Sequence, residues 1–339
     1  MSATTPRSDD HRGNGGRKAA ESGAVPRISL ESGFVLPVAK RTGCTSHDVV
    51  VLLRSLFGIQ KIGHAGTLDP FATGLLICCV GRATKLSNYL MDLDKTYEGD
   101  LRLGFRTNTG DRTGTTVAEA PVPEADPVRF EKLAETFVGE FLQTPPMVSA
   151  LKHKGQRLYE LARKGVEVER TPRRIHVHEF RILGVSSPLV HFRVRCGRGT
   201  YVRTLVEDFC RGLGTEGTVD TLSRTEVGPF HVESAVDQER ISAGDLEAAL
   251  ARAVPMGEAL AQHRRVTLTD LWVRRVRQGN SPPWSSLDVE GADPPAPGDV
   301  VRMHGPEGTL VAIARVRAVP GAGGRDWIDA RELVLERVL

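Results

Sequence analysis

What this sequence lacks narrows its chemistry before any motif does. No apolar run approaches the ~18–20 residues that a membrane-spanning helix requires, so no membrane partner is expected. The opening stretch MSATTPRSDDHRGNGGRKAAESG has none of the apolar core that a secretory signal carries. The 5 cysteines are odd in number, include the neighbours Cys78 and Cys79, and form no C-x-x-C pair. That usage argues against a disulfide framework and a zinc knuckle, and it leads us to expect a reducing cytoplasm. The motifs G-x-x-x-x-G-K-[ST], G-x-S-x-G and H-E-x-x-H are all missing, which removes a phosphate-cradling P-loop, an esterase elbow and a zincin helix. His176 and His178 share a strand face, but two histidines without a third suitably spaced ligand predict no metal site.

Charge of one sign is also scarce. With 45 Lys+Arg against 42 Asp+Glu, the net charge is only +3 over 339 residues. The distribution is far from even: between Ala150 and Arg211 there are 14 Lys/Arg and 6 Asp/Glu, a local +8 that leaves −5 elsewhere. A polyanion would meet that stretch and not the average, although a solvated, salt-bridged surface would use the same residues. The remaining composition, 40% hydrophobic and 26% charged, is that of an ordinary globular chain. The length suits about two domains.

Residues 1–28 are Gly, Ser, Arg and Asp with little apolar content, which predicts a disordered tail. Order is expected from Gly33-Phe34. Thr45 or Ser46 can cap a helix carrying Val49, Leu52, Leu53 and Leu56 up to Gly58. Strands are expected over Leu75–Val80, Tyr97–Leu103, His176–Leu183 and Leu189–Cys196, with a turn at Gly184–Pro188. Helices are expected over Val128–Val138 and Val202–Leu213, with a helical patch around Leu158, Leu161 and Ala162. After Gln262 short β runs (Val300–Arg302, Thr309–Arg315) surround SPPWSSLDVEGADPPAPG, the pattern of a small second domain.

Three segments can carry chemistry. In Gly63-His64-Ala65-Gly66-Thr67-Leu68-Asp69-Pro70-Phe71-Ala72-Thr73-Gly74, the glycines and Pro70 mark a shaped loop that leads straight into the apolar strand at Leu75. Pro70 biases Asp69 away from helical backbone angles. Asp69 is then either a turn residue or a carboxylate presented on a loop held by a core strand. In Cys196-Gly197-Arg198-Gly199-Thr200-Tyr201-Val202-Arg203, two glycines lead into a helix start, where backbone N–H groups attract anions. Arg203 there is a natural partner for a buried aspartate, or simply a phosphate or solvent contact. Asp94-Lys95-Thr96-Tyr97-Glu98 places a third candidate, Tyr97, at a strand start.

At these residues the chain resembles the TruB family of pseudouridine synthases. The likeness runs in order through GHAGTLDPFATGLL (63–76), VGRATKLSNYL (80–90), DKTYEGDLRLGFRTNTGD (94–111), TPPMVSALKHKGQRLYELARKG (144–165), CGRGTYVRTLVEDFCRGLG (196–214) and LSRTEVGPF (222–230). It implies an α+β pseudouridine synthase fold, with a mixed, largely antiparallel sheet flanked by helices. The catalytic domain would span residues 29–262, with an RNA-gripping insertion at about 144–170, and a PUA-like β module would follow at 263–339. By the same resemblance Asp69 is the catalytic aspartate, His64 helps extrude the nucleotide, and Tyr97 stacks on the flipped uracil. Tyr201 lines the pocket, Leu222 contacts the base, Arg203 pairs with Asp69, and Lys40 and Asp111 support the site. Lys152, Lys154 and Arg157 would grip RNA. Arg41 stands where the family has proline, and Asn108 where it more often has aspartate.

The implied reaction converts uridine 55 in the tRNA T-loop to pseudouridine, with no cofactor, no metal and no obligate protein partner, in a monomer. A non-catalytic tRNA-folding chaperone would keep the grip without the chemistry, and Asp69, Tyr97 and Arg203 argue against it. A guide-RNA-dependent relative would not need the basic insertion at 144–170.

Overall fold

The computed structural model describes Met1 and residues 33–339, apart from 150, 154, 159, 160, 162–164, 167, 291–294 and 320–330. Most of the expected tail, and much of the patch around Leu161, therefore lies outside the described residues. Order begins with β1 (Phe34–Lys40). The helix Ser46–Phe57 follows because Thr45 closes a capping box with Asp48 and Gly58 ends it in a left-handed conformation at φ 66°. β2 (Ile62–His64) and β3 (Thr73–Val80) then flank the Gly-rich loop.

The chain continues through β4 (Lys95–Leu103), the small β5–β6 hairpin (Phe105–Thr107, Thr116–Glu119), helix Pro127–Glu135 and β7 (Gly139–Gln143). A two-residue ribbon, β8 (Lys152–His153) with β9 (Gln156–Arg157), precedes β10 (Arg173–Ser186) and β11 (Leu189–Cys196). Helix Val202–Gly212, β12 (Gly217–Val227), β13 (Phe230–His231), β14 (Val236–Asp237) and β15 (Val254–Pro255) complete this part.

The main sheet has the order β14-β1-β3-β12-β4-β11-β10-β7, with β15, β2 and β13 added beside β1, β3 and β12. Among the described residues, only β1–β14 and β3–β12 pair in parallel within it. This is the mixed, largely antiparallel α+β sheet that the sequence leads one to expect. Alternation along β1 and β3 splits the core in two. Leu36, Val38, Leu76 and Cys78 pack under helices 46–57 and 202–212 with Val49, Leu53, Leu205 and Phe209. Val35, Leu75, Ile77 and Cys79 face the opposite way, onto Leu86, Leu90, Leu310 and Ile313.

The last two of those residues belong to a second sheet, β17-β16-β18-β19-β20, built from β16 (Arg264–Thr267), β17 (Asp288–Val289), β18 (Val300–His304), β19 (Leu310–Ala318) and β20 (Arg331–Val338). It starts at Arg264, close to the composition change at Gln262, but it shares an apolar cluster with the main sheet instead of hanging from a linker.

Two elements differ from their sequence expectation. Gly184–Ser186 is strand, and only Ser187-Pro188 turns; bulges at Val177/Glu179 and Ile182/Gly184 absorb the glycine that reads as a loop. The helix expected to reach Val138 stops at Glu135, because Gly139 (φ 117°) already opens an edge strand.

Candidate active site

The loop between β2 and β3 stands at one end of the sheet, beside a cleft of about 1020 Å³ lined by His64, Asp69, Asp111, Val148 and Arg203 among others. Short bonds from several directions hold its backbone. The Lys40 ammonium donates to Ala72 O at 2.7 Å and Arg41 O at 2.8 Å, and more loosely to Pro70 O at 3.5 Å. Burial pushes Lys40 below the usual lysine pKa, while the Asp69 charge draws it back up. Ser46, the first residue of its helix, bonds Leu68 twice: Leu68 N donates to Ser46 Oγ at 2.8 Å, and that hydroxyl donates to Leu68 O at 3.2 Å. Gly43 N donates to Pro70 O at 2.8 Å. Arg41 turns outward to Asp237 and Glu239, so a charged residue at the proline position leaves Lys40 buried in place.

Asp69 meets Arg203 through a two-pronged contact. Nε lies 2.8 Å from Oδ2 and Nη2 lies 3.2 Å from Oδ1, the fork geometry that orients both carboxylate oxygens. The arginine is 3% exposed and the aspartate 35%, so the carboxylate faces the cleft from a buried cationic base. The same guanidinium donates to Thr109 O at 2.6 Å and Val148 O at 2.9 Å. It thereby joins the aspartate loop, the 107–115 turn and the segment that opens the insertion. Arg203 reaches this position because it sits in the first turn of helix 202–212, whose start Gln143 clamps through both Tyr201 backbone groups at 2.8 and 3.1 Å.

Asp111 is buried and shapes the turn that supplies Thr109 O. Its Oδ1 accepts from Thr113 N at 2.9 Å, Thr113 Oγ1 at 2.5 Å and Thr109 Oγ1 at 3.0 Å. Asn108 Oδ1 accepts from Thr115 N at 3.0 Å across the same turn. His64 ends β2 at the cleft wall. Burial, reinforced by the Arg224 cation, lowers its pKa and keeps the imidazole neutral near pH 7; its buried Nδ1 has no protein partner among the described residues.

Tyr97, Tyr201 and Leu222 are not among the residues that line the cleft. Tyr97 is the third residue of β4, inside the sheet and not on a loop, and it packs half-buried against the core. Leu222 is buried on the neighbouring β12. Burial raises the pKa of both phenols, and the Asp69 charge reaches each of them. Lys152 and Arg157 face each other in the β8–β9 ribbon, while Lys154 lies outside the described residues. His176 and His178 stack at 4.1 Å, and His178 Nε2 pairs with Asp94 Oδ1 at 3.0 Å.

Sequence reading missed Arg224, which is 1% exposed and donates to Gly66 O at 3.1 Å and Leu75 O at 2.7 Å. It also missed Ser46 and Gln143. These three act through backbone groups far away in sequence, so no local spacing announces them.

Residues 54–202 match the family described as TruB family pseudouridylate synthase (N terminal domain). The chain is 42% identical over 295 residues to a tRNA pseudouridine synthase B of Cupriavidus metallidurans, covering 86% of this chain and 93% of that protein. It is 46% identical over 214 residues to one from Caldanaerobacter subterraneus subsp. tengcongensis, covering 63% and 75%. The archaeal box H/ACA Nop10-Cbf5 complex contains a similar fold, with a TM-score of 0.67 at 23% identity and coverage of 91% of this chain and 86% of that one. Fold and sequence together define an RNA uridine isomerase of the pseudouridine synthase class. Within that class the chain belongs to the TruB family of pseudouridylate synthases.

Proposed function

We propose that this enzyme isomerises uridine 55 in the T-loop of tRNA, with Asp69 as its catalytic carboxylate. The relatives named tRNA pseudouridine synthase B support the substrate. The observation that carries the residue assignment is the two-pronged Asp69–Arg203 contact at the cleft, with the arginine buried and the carboxylate exposed. In the reaction the N1–C1′ bond breaks, the uracil turns, and C5 bonds to C1′. The C5 proton leaves to solvent and N1 takes one up, so the product is an isomer and no electron or group donor is consumed. Asp69 acts at the sugar, by attack on C1′ or by removal of the 2′ proton. Either step needs the carboxylate held in one orientation, which Arg203 provides. Lys40 and Asp111 support it from the two sides of the cleft.

Extruding the base from a folded loop costs a few kcal/mol. Stacking on Tyr97 repays roughly 1–3 kcal/mol of that, with Tyr201 and Leu222 completing the pocket and His64 in the loop that helps extrude the nucleotide. Lys152, Lys154 and Arg157 grip the T-arm as part of a catalytic domain spanning 29–262, and residues 263–339 serve as a PUA-like module. We place the enzyme in the cytoplasm as a monomer that needs no obligate protein partner.

Tritium release from a tRNA transcript labelled at uridine C5 tests this reading. Wild type should release one tritium per tRNA, and Asp69→Asn should release none while still binding. Binding without release by wild type would leave a tRNA-folding protein, and full turnover by Asp69→Asn would remove the residue assignment.

A further inference from the structure

Arg224 is the largest fully buried side chain among the described residues, and it carries a formal charge. No carboxylate pairs with it among the described residues; its main-chain bonds go to two carbonyls, Leu75 O at 2.7 Å from Nε and Gly66 O at 3.1 Å from Nη2. A buried cation without a counter-charge is costly to keep, and an apolar replacement of similar volume usually packs as well. Its two acceptors suggest why it is kept. Gly66 opens the loop that bears Asp69 and Leu75 lies just beyond its end, so one planar group spans the loop from beneath. Strand register sets Arg224 directly opposite Tyr97 on β4 and Gly74 on β3. The backbone fit is close, since a Cβ on Gly74 would lie 2.3 Å from Arg224 O. The same cation also bears on its neighbours, lowering the pKa of His64 and opposing the rise that burial gives Tyr97.

We propose that Arg224 is a positioning residue for the isomerisation, fixing the Gly66–Leu75 loop and the Tyr97 ring in the one relative placement that lets Asp69 reach the sugar of a base stacked on Tyr97. This rests on the assignment of Asp69 and Tyr97 made above. Arg224 touches neither substrate nor the reacting atoms; it acts through the two carbonyls and the phenol.

The test measures the single-turnover rate at saturating tRNA and, separately, the tRNA dissociation constant, for wild type, Arg224→Lys, Arg224→Met and Asp69→Asn. Arg224→Met should lose roughly a hundredfold in rate, and the loss should fall on the chemical step because near-attack geometry is what changes. Its affinity should stay within about threefold of wild type. Arg224→Lys, which keeps a cation able to reach one carbonyl, should recover part of the rate at unchanged affinity. If Arg224→Met does not fold, Arg224→Lys decides alone, with a rate about tenfold below wild type expected. A folded Arg224→Lys at the wild-type rate, or a loss confined to affinity, would overturn the role of Arg224 while an inactive Asp69→Asn left the catalytic reading standing. An Asp69→Asn enzyme with full turnover would instead overturn that reading.

Discussion

Replacing Arg203 with methionine removes its three attachments at once. The side chain is 3% exposed and donates to both oxygens of Asp69, to Thr109 O and to Val148 O. Asp69 is 35% exposed, so water takes over much of its solvation and the lost ion pair counts for only about 1 kcal/mol. The two carbonyls have no such relief, and leaving each unsatisfied costs about 1–2 kcal/mol. Methionine fills most of the volume of the arginine stem, which keeps the cavity cost small. The expected loss is therefore about 3–5 kcal/mol, or a fall of roughly 6–20 °C in melting temperature at 2–4 °C per kcal/mol. The rate should fall further than stability alone requires, because a carboxylate displaced by about 1 Å costs on the order of a hundredfold. Differential scanning calorimetry and tritium release on one preparation give both numbers. A variant that melts within about 2 °C of wild type and turns over within threefold would refute the claim that this guanidinium holds three segments in place.

Three further outcomes are expected. Gly74→Ala should lower stability by more than about 2 kcal/mol in denaturant titration, since φ is +101° there and the new Cβ would meet Arg224 O at 2.3 Å; a neutral result would mean the β3–β12 approach is looser than described. Lys95 is buried, and desolvation brings its pKa from the usual 10.5 to about 8. The unfolded chain then binds more protons between those values, so stability rises with pH from about 8 to about 10.5, by roughly 3 kcal/mol at most; Lys95→Met should flatten that rise in pH-dependent melts. Changing Lys152, Lys154 and Arg157 together to alanine should weaken tRNA binding and reduce its log–log salt slope by about two to three units; an unchanged slope would take the insertion out of RNA binding.

The sequence revealed the ends of elements best where a residue forces the backbone. Thr45, Asp48 and Gly58 announce their helix, and the Gly-rich stretch ending at Gly74 announces the loop. Strand β10 was harder, because bulges let Gly184 stay in the ladder and nothing local distinguishes that from a turn. In the site, Asp69 and Arg203 are both visible as polar residues in motifs, but their 134-residue separation in sequence hides the two-pronged geometry. Tyr97 reads as the start of a strand from the alternation over Tyr97–Leu103; its placement between β11 and β12 depends on tertiary pairing that no local pattern shows. The backbone-directed anchors Lys40, Ser46, Gln143 and Arg224 are fixed by tertiary distance, which periodicity does not encode.

The apolar cluster shared by the two sheets bears on how the enzyme is made. Ile77 and Cys79, on the strand that leads out of the Asp69 loop, share an apolar cluster with Leu310 and Ile313. A nascent chain is released from its N-terminal end first. The Asp69 loop can thus be complete in sequence while the apolar layer behind its strand is still missing members. The ribosome must deliver the chain as far as Ile313 before that layer is whole, so the support beneath the Asp69 loop is completed long after the loop itself has been made.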